Sequence, residues 1–309
     1  MSYRIPLPEG GRQARLDIVE PNSTATQRFI RRCGLGAYEP PTAAAVLALC
    51  ERAQPGFVVF DVGANMGLYG FVAASMFAPG HVDLFEPTPH AAAAARRIAE
   101  RNRLPATVHE VAVSDAPGSA ELFLSPGSDA SNSLVEGFRE TEQSIVVPTV
   151  TLDDVVARTG RIPDIVKLDV ETHERAVLEG ARGVIESARP SFVIEVLKRR
   201  GRDHGREISE FFAGLDYSCY ELSATPSWQR SETVHGSGTT DRDWLLVPSP
   251  LDERFPQRWT VWHDRWIACT AERNPRVPLL PTTRAAFERG GVREIYATAQ
   301  RYRRSRRAT

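Results

Sequence analysis

The 309-residue chain is long enough for one large α/β core with extensions, or for two domains. A formal charge of −1 and an isoelectric point near 6.7 exclude a global electrostatic pull toward nucleic acid or an anionic membrane. No apolar run approaches the ~20 residues of a membrane span, the N-terminus has no basic-then-apolar leader pattern, and Cys33, Cys50, Cys219 and Cys269 form no CxxC pair, which predicts buried thiols of a cytoplasmic protein rather than zinc ligands or disulfides.

Residues 1–56 read as an N-terminal arm ending in a helix, TAAAVLALCERA (42–53), capped by Thr42. Strands and helices then alternate. FVVFDV (57–62), HVDLFEP (81–87) and TVHEVAV (107–113) are predicted strands, separated by GLYGFVAASMF (67–77) and PHAAAAARRIAERN (89–102) as helices. Such alternation predicts a parallel sheet covered by helices on both faces. Residues 119–151 interrupt it with SAELFLS, the polar PGSDASNSL and SIVVPTV, which predict a β-rich insertion with a mobile loop. Helix TLDDVVARTG (151–160), strand DIVKLDVE (164–171), helix HERAVLEGARGVIESA (173–188) and strand SFVIEVL (191–197) restore the rhythm. A helix near 206–215 and strands SCYEL and DWLLVP complete a domain over 57–250. In the extension over 251–309, Trp259, Trp262 and Trp266 fall at i, i+3, i+7 on one helical face, and RYRRSRR closes the chain.

VVFDVGANMG (58–67) followed by VDLFEP (82–87) carries the most chemistry: a buried strand, a glycine turn into a helix, and an acid ending the next strand. Glu86 follows Gly67 by 19 residues, a spacing suited to hydrogen bonds from two ribose hydroxyls. A dinucleotide fold needs G-x-G-x-x-G, whose second glycine makes room for a pyrophosphate; here Asn65 stands at that position between Gly63 and Gly67. The G-x-x-x-x-G-K-[ST] of a P-loop is absent as well. Asp61 ahead of the turn repels phosphate and suits a cation. A ligand with a ribose, a positive charge and no phosphate is S-adenosylmethionine (SAM). Asp61, Gly63, Asn65, Gly67 and Glu86 are its expected contacts, with Asp61 near the amino-acid portion and Asp115 near the adenine amino group.

YEPPT (38–42), FDVGANMG (60–67), FEPTP (85–89), AVSDAPG (112–118), VTLDDV (150–155), VKLDVE (166–171) and FVIEV (192–196) occur in an order that resembles the FkbM family of SAM-dependent methyltransferases. The resemblance covers roughly residues 35–200. It implies a seven-stranded class I methyltransferase (Rossmann-like) α/β fold, here with an N-terminal helical arm and a C-terminal helical extension, and O-methylation of a secondary metabolite or sugar. The departure is ETHE (171–174), where the family has E-G-x-E; Thr172 stands at the glycine position.

Ligands of open α/β sheets bind at the carboxyl ends of the strands, where Asp61, Glu86, Asp169, Glu171 and Glu195 all fall. Asp169, His173 and His204 are the candidate bases for deprotonating an acceptor hydroxyl. Asp169, Glu171 and Glu195 form an alternative divalent-metal set, less favoured than a cofactor or base role. The expected partner is a small-molecule hydroxyl acceptor, not nucleic acid or membrane. N-methylation, or SAM binding without turnover, is the competing reading. The tryptophan stripe predicts packing on the core or on the mate of a homodimer, with an apolar substrate as the lesser alternative.

Overall fold

The structure is a computed structural model that describes residues 2–269, apart from 21, 127, 139, 140, 142, 200, 201 and 237–242. An antiparallel hairpin of β1 (Ser2–Pro6) and β2 (Arg15–Val19) opens the chain. Its inward residues Ile5, Leu16 and Ile18 are buried, and Asn102 fastens it by bonding both the N–H (2.9 Å) and the carbonyl (2.8 Å) of Asp17. Helix α1 (Ala25–Cys33) follows, started by a capping box in which Thr24 and Gln27 satisfy each other's backbone N–H. The arm therefore contains a hairpin and a further helix besides the expected one. That expected helix, α2 (Pro40–Arg52), begins two residues before Thr42, with Pro40 and Pro41 in its first turn and Glu39 in left-handed backbone as the cap residue. Thr42 is buried inside the first turn and does not cap it.

The central elements follow the alternation read from sequence, except that the strand expected over 107–113 ends at His109 and its last residues, Ala112–Val113, join the inserted sheet. The elements are β3 (Val58–Val62), α3 (Leu68–Met76), β4 (His81–Phe85), α4 (Pro89–Asn102) and β5 (Ala106–His109). The insertion is a three-stranded sheet of β6 (Ala112–Val113), β7 (Gly118–Phe123) and β8 (Ser144–Val150). Then come α5 (Leu152–Thr159), β9 (Ile165–Leu168), α6 (Glu174–Glu179), α7 (Arg182–Ala188) and β10 (Ser191–Glu195). A short ribbon of β11 (Lys198–Arg199) and β12 (Arg202–Asp203) leads into α8 (His204–Phe212), β13 (Ser218–Leu222), β14 (Asp243–Val247) and α9 (Phe255–Ala268). The one helix expected over 173–188 is two, broken at Gly180; the Asp153 carboxylate of α5 accepts the Gly183 and Val184 N–H groups at 2.9 Å each and so caps α7.

The seven-stranded sheet has the order β13-β14-β10-β9-β3-β4-β5, parallel except for β14, which runs antiparallel to both neighbours. The order reverses on either side of β3, and the crevice outside the strand ends at such a switch point is where ligands bind. One sheet face packs Val82, Val193 and Leu245 against α2, α3, α9 and the hairpin. The other packs Phe60, Val166, Phe192 and Ile194 against α5 to α8. The class I methyltransferase architecture is thus present, with the helical layers that its alternating apolar runs require.

The tryptophan stripe belongs to the core of the same chain. Trp259, Trp262 and Trp266 are buried against α2, and their ring N–H groups donate to Pro41 O (3.1 Å), Glu51 Oε2 (2.6 Å) and Tyr38 O (2.9 Å). The arginine-rich terminus lies outside the described residues. All four cysteines are free, and Cys50, Cys219 and Cys269 are buried. No helix among the described residues is long and apolar enough to cross a membrane.

Candidate functional site

A cavity of about 340 Å³ opens at the carboxyl ends of β3, β4 and β9, within the ~300–1,000 Å³ range of small-molecule sites. Its floor is the turn between β3 and α3. Gly63 has φ +78°, and a Cβ there would stand 1.8 Å from the Asp169 carbonyl oxygen. The glycine therefore lets the turn lie against the exit of β9. Gly67, φ +82°, abuts Leu84 and Phe71 side chains and does not line the cavity, so its role is helix packing rather than ligand approach. Asn65 adopts φ +49°, left-handed backbone that asparagine tolerates.

Glu86 ends β4, buried in the cavity wall. Its Oε2 accepts the Asn65 N–H and its Oε1 the Thr88 N–H, both at 2.7 Å. These backbone bonds, with the Thr88 hydroxyl as a further donor, fix the carboxylate and still leave it acceptor capacity. Burial pushes its pKa above the usual carboxylate range, opposed by the hydrogen bonds from Thr88 and Asn65. The Asn65 side chain is 9% exposed and lines the cavity, yet neither its Oδ1 nor its Nδ2 has a hydrogen-bond partner. Buried amides of folded proteins are paired, so this one is built for a partner supplied from the cavity. Asp61 lines the cavity too, but its Oδ2 accepts the Gly70 N–H at 2.9 Å and anchors α3. Burial pushes its carboxyl up to about 6.

Val111, Ala112, Val113, Leu122 and Phe85 give the cavity an apolar lining. His173 joins it, its Nε2 3.0 Å from Ser114 Oγ; burial lowers its pKa, opposed by the charge of Asp115. Two expected residues are elsewhere. Asp115 is exposed, accepts a hydrogen bond from Ser114 Oγ, and is not in the cavity wall, because the chain turns outward after Val113. His204 begins α8 instead of occupying a polar loop; it is buried 3.8 Å from Glu207 and does not line the cavity.

Asp169, Glu171 and Glu195 do come together, with carboxylate oxygens within 4.8 Å of one another. Like charges this close need compensation, and part of it comes from a lysine inside the VKLDVE segment to which the sequence alone gives no role. Lys167, buried in β9, places Nζ 3.5 Å from Asp169 and 3.8 Å from Asp243, above the ring of Tyr69. Burial pulls its pKa down, but Asp169 and Asp243 more than offset this and hold it above the ordinary lysine value. The ammonium thus offsets part of the negative charge gathered there. Tyr38 and Glu39, from the YEPPT segment, also line the cavity, with Tyr69 Oη donating to Glu39 Oε2 at 2.6 Å. The one sequence cue to α1, whose Ala25, Thr26 and Phe29 complete the wall, is the Thr24-x-x-Gln27 capping pattern.

The insertion closes over the site. Asp129 accepts the Ala25 N–H at the start of α1 (2.7 Å), Asn132 Nδ2 donates to Thr88 Oγ1 (3.2 Å), and Ser133 Oγ donates to the Glu171 carbonyl (2.8 Å). Residues 128–134 therefore tie the exits of β4 and β9 together.

The turn after β9 is strained. Glu171 and Thr172 have φ of +55° and +82° in succession, backbone that a β-branched residue rarely adopts. Glu174, buried with its carboxyl pushed up to about 7, accepts the Thr172 N–H at 3.1 Å and holds the turn. Left-handed strain costs about 1–3 kcal/mol, against ~0.4–1 kcal/mol of extra unfolded-chain entropy for glycine. Thr172→Gly is expected to raise stability by about 1 kcal/mol in urea unfolding. A lower midpoint would mean that packing of the threonine side chain outweighs the strain.

Residues 61–234 match the methyltransferase FkbM domain family, more than half of the chain. The chain is 31% identical over 149 residues to the hexuronic acid methyltransferase AglP of Haloferax volcanii, covering 47% of this chain and 58% of that protein. It is 32% identical over 161 residues to the 31-O-demethyl-FK506 methyltransferase FkbM of Streptomyces tacrolimicus, covering 41% and 60%. It thus spans about three fifths of the length of these curated relatives. Among solved structures, the FkbM methyltransferase of Methylobacillus flagellatus KT aligns with a TM-score of 0.41 at 16% identity, over 62% of this chain and 44% of that one. The family match covers both the turn after β3 and the carboxylates at the ends of β4, β9 and β10, and the chain belongs to the FkbM methyltransferase family.

Proposed function

We propose that this chain transfers a methyl group from SAM to a hydroxyl of a small molecule. The observation that carries the reading is Glu86, buried at the end of β4 with acceptor capacity left on its carboxylate and facing a cavity of cofactor size. Ribose hydroxyls match that carboxylate. A polar group of the donor matches the unpaired amide of Asn65, and the apolar wall around Val111–Val113 suits an adenine ring. Bound there, SAM supplies an electrophilic methyl group on a sulfonium.

The acceptor would be met by Asp169, whose side chain is 26% exposed at the mouth of β9 and available to take the hydroxyl proton. Seven carboxyl side chains line the cavity, and Lys167 is the single lysine or arginine among its described wall residues. That balance favours a neutral acceptor over an anionic one. The two curated relatives, by name a hexuronic acid methyltransferase and a 31-O-demethyl-FK506 methyltransferase, support methylation of a small molecule.

Glu86→Ala tests the donor assignment. Hydrogen bonds to a charged group contribute about 1.5–3 kcal/mol each, so losing two should weaken S-adenosylhomocysteine (SAH) binding by about 100-fold or more in calorimetry. Unchanged affinity would remove Glu86 from the site and the reading with it.

A further inference from the structure

We propose that Lys167 recognises the carboxylate of the methyl donor's amino-acid portion; this rests on the SAM reading above. Lys167 lies in the centre of the sheet, paired in register with Asp61 of β3 and Val193 of β10, and is 1% exposed. Its ammonium has three donors. The nearest described carboxylate oxygens, at 3.5 and 3.8 Å, are beyond hydrogen-bond length, and Nζ forms no hydrogen bond. A buried cation with unused donors, in the wall of a cavity, calls for an acceptor delivered from that cavity.

The ligand chemistry narrows which acceptor this is. A neutral hydroxyl compound brings no anionic oxygen, whereas SAM brings one carboxylate. That carboxylate enters a cavity lined by seven carboxyl side chains and a single ammonium among the described wall residues. Left unpaired, it would be desolvated among like charges, an arrangement that opposes binding. Lys167 is the wall residue able to offset this, and Asn65, whose amide is also unpaired, offers a second donor.

The chain contains only two lysines, Lys167 and the exposed Lys198, so a side-chain NMR spectrum of lysine-labelled protein has two ammonium signals, assigned with Lys198→Arg. The proposal expects the Lys167 signal to shift and gain protection from exchange when SAH is added. Decarboxylated SAH, identical except for the missing carboxylate, should not reproduce that change. In calorimetry Lys167→Met should weaken SAH by about 100-fold while leaving the decarboxylated analogue within about threefold. Should the variant not fold, the spectrum of the intact protein decides alone. Identical Lys167 responses to both ligands, or equal losses for both in the variant, would overturn the proposal. Intact protein that binds neither ligand would sink the donor reading first, and this inference with it.

Discussion

Trp266→Ala is expected to cost about 3–5 kcal/mol of stability, the usual penalty for deleting a fully buried tryptophan. Trp266 is 0% exposed, and its ring N–H is the partner of the Tyr38 carbonyl. The substitution therefore leaves a cavity and an unsatisfied carbonyl together. The effect should reach the site. Tyr38 and Glu39 line the cavity, and α9 braces the segment that carries them through Trp266 on Tyr38 and Trp259 on Pro41. SAH affinity should fall alongside the urea midpoint. Val261→Ala on the same helix, at a position 45% exposed, should change stability by no more than about 0.5 kcal/mol. A loss below about 1 kcal/mol for Trp266→Ala would show that α9 detaches without consequence, contrary to its packing.

Asp169→Asn is expected to lower kcat by about 10²–10⁴, the range attributed to a positioned base, while leaving donor affinity near the wild-type value. Asparagine keeps the size and the contacts of β9 but cannot take a proton. Activity should remain, because holding the acceptor beside the donor can supply about 7–11 kcal/mol without any base. The split between kcat and donor affinity separates a base from a residue that only positions the donor. A kcat that does not change would mean that the acceptor reaches the site already deprotonated, as an amine does, and would favour N-methylation.

What is legible in the sequence is local. VVFDVGANMG and VDLFEP each combine an apolar strand with its terminal chemistry within ten residues, so residue order alone places the turn and Glu86. The seven strands follow from apolar runs separated by helical patterns. Other features require three dimensions. Lys167 sits inside the VKLDVE segment, but only the convergence of Asp169 and Asp243, 74 residues apart, explains a buried lysine there. Tyr38 and Glu39 lie far ahead of the glycine turn and reach the cavity because α2 packs across the sheet. The reasons for the glycines are hidden as well. Gly63 accommodates the backbone of β9 and Gly67 the packing of α3, both non-local contacts. His204 and Asp115 mislead for the opposite reason: polar residues near strand ends resemble site residues until the chain's direction is known.

The measurement that bears most directly on the central claim is calorimetric titration of the intact protein with SAM, SAH and NADH. SAM and SAH should bind with micromolar affinity, and NADH should not, because Asn65 stands where a pyrophosphate needs glycine. Folded protein that binds NADH tightly and leaves SAM in solution would contradict the account.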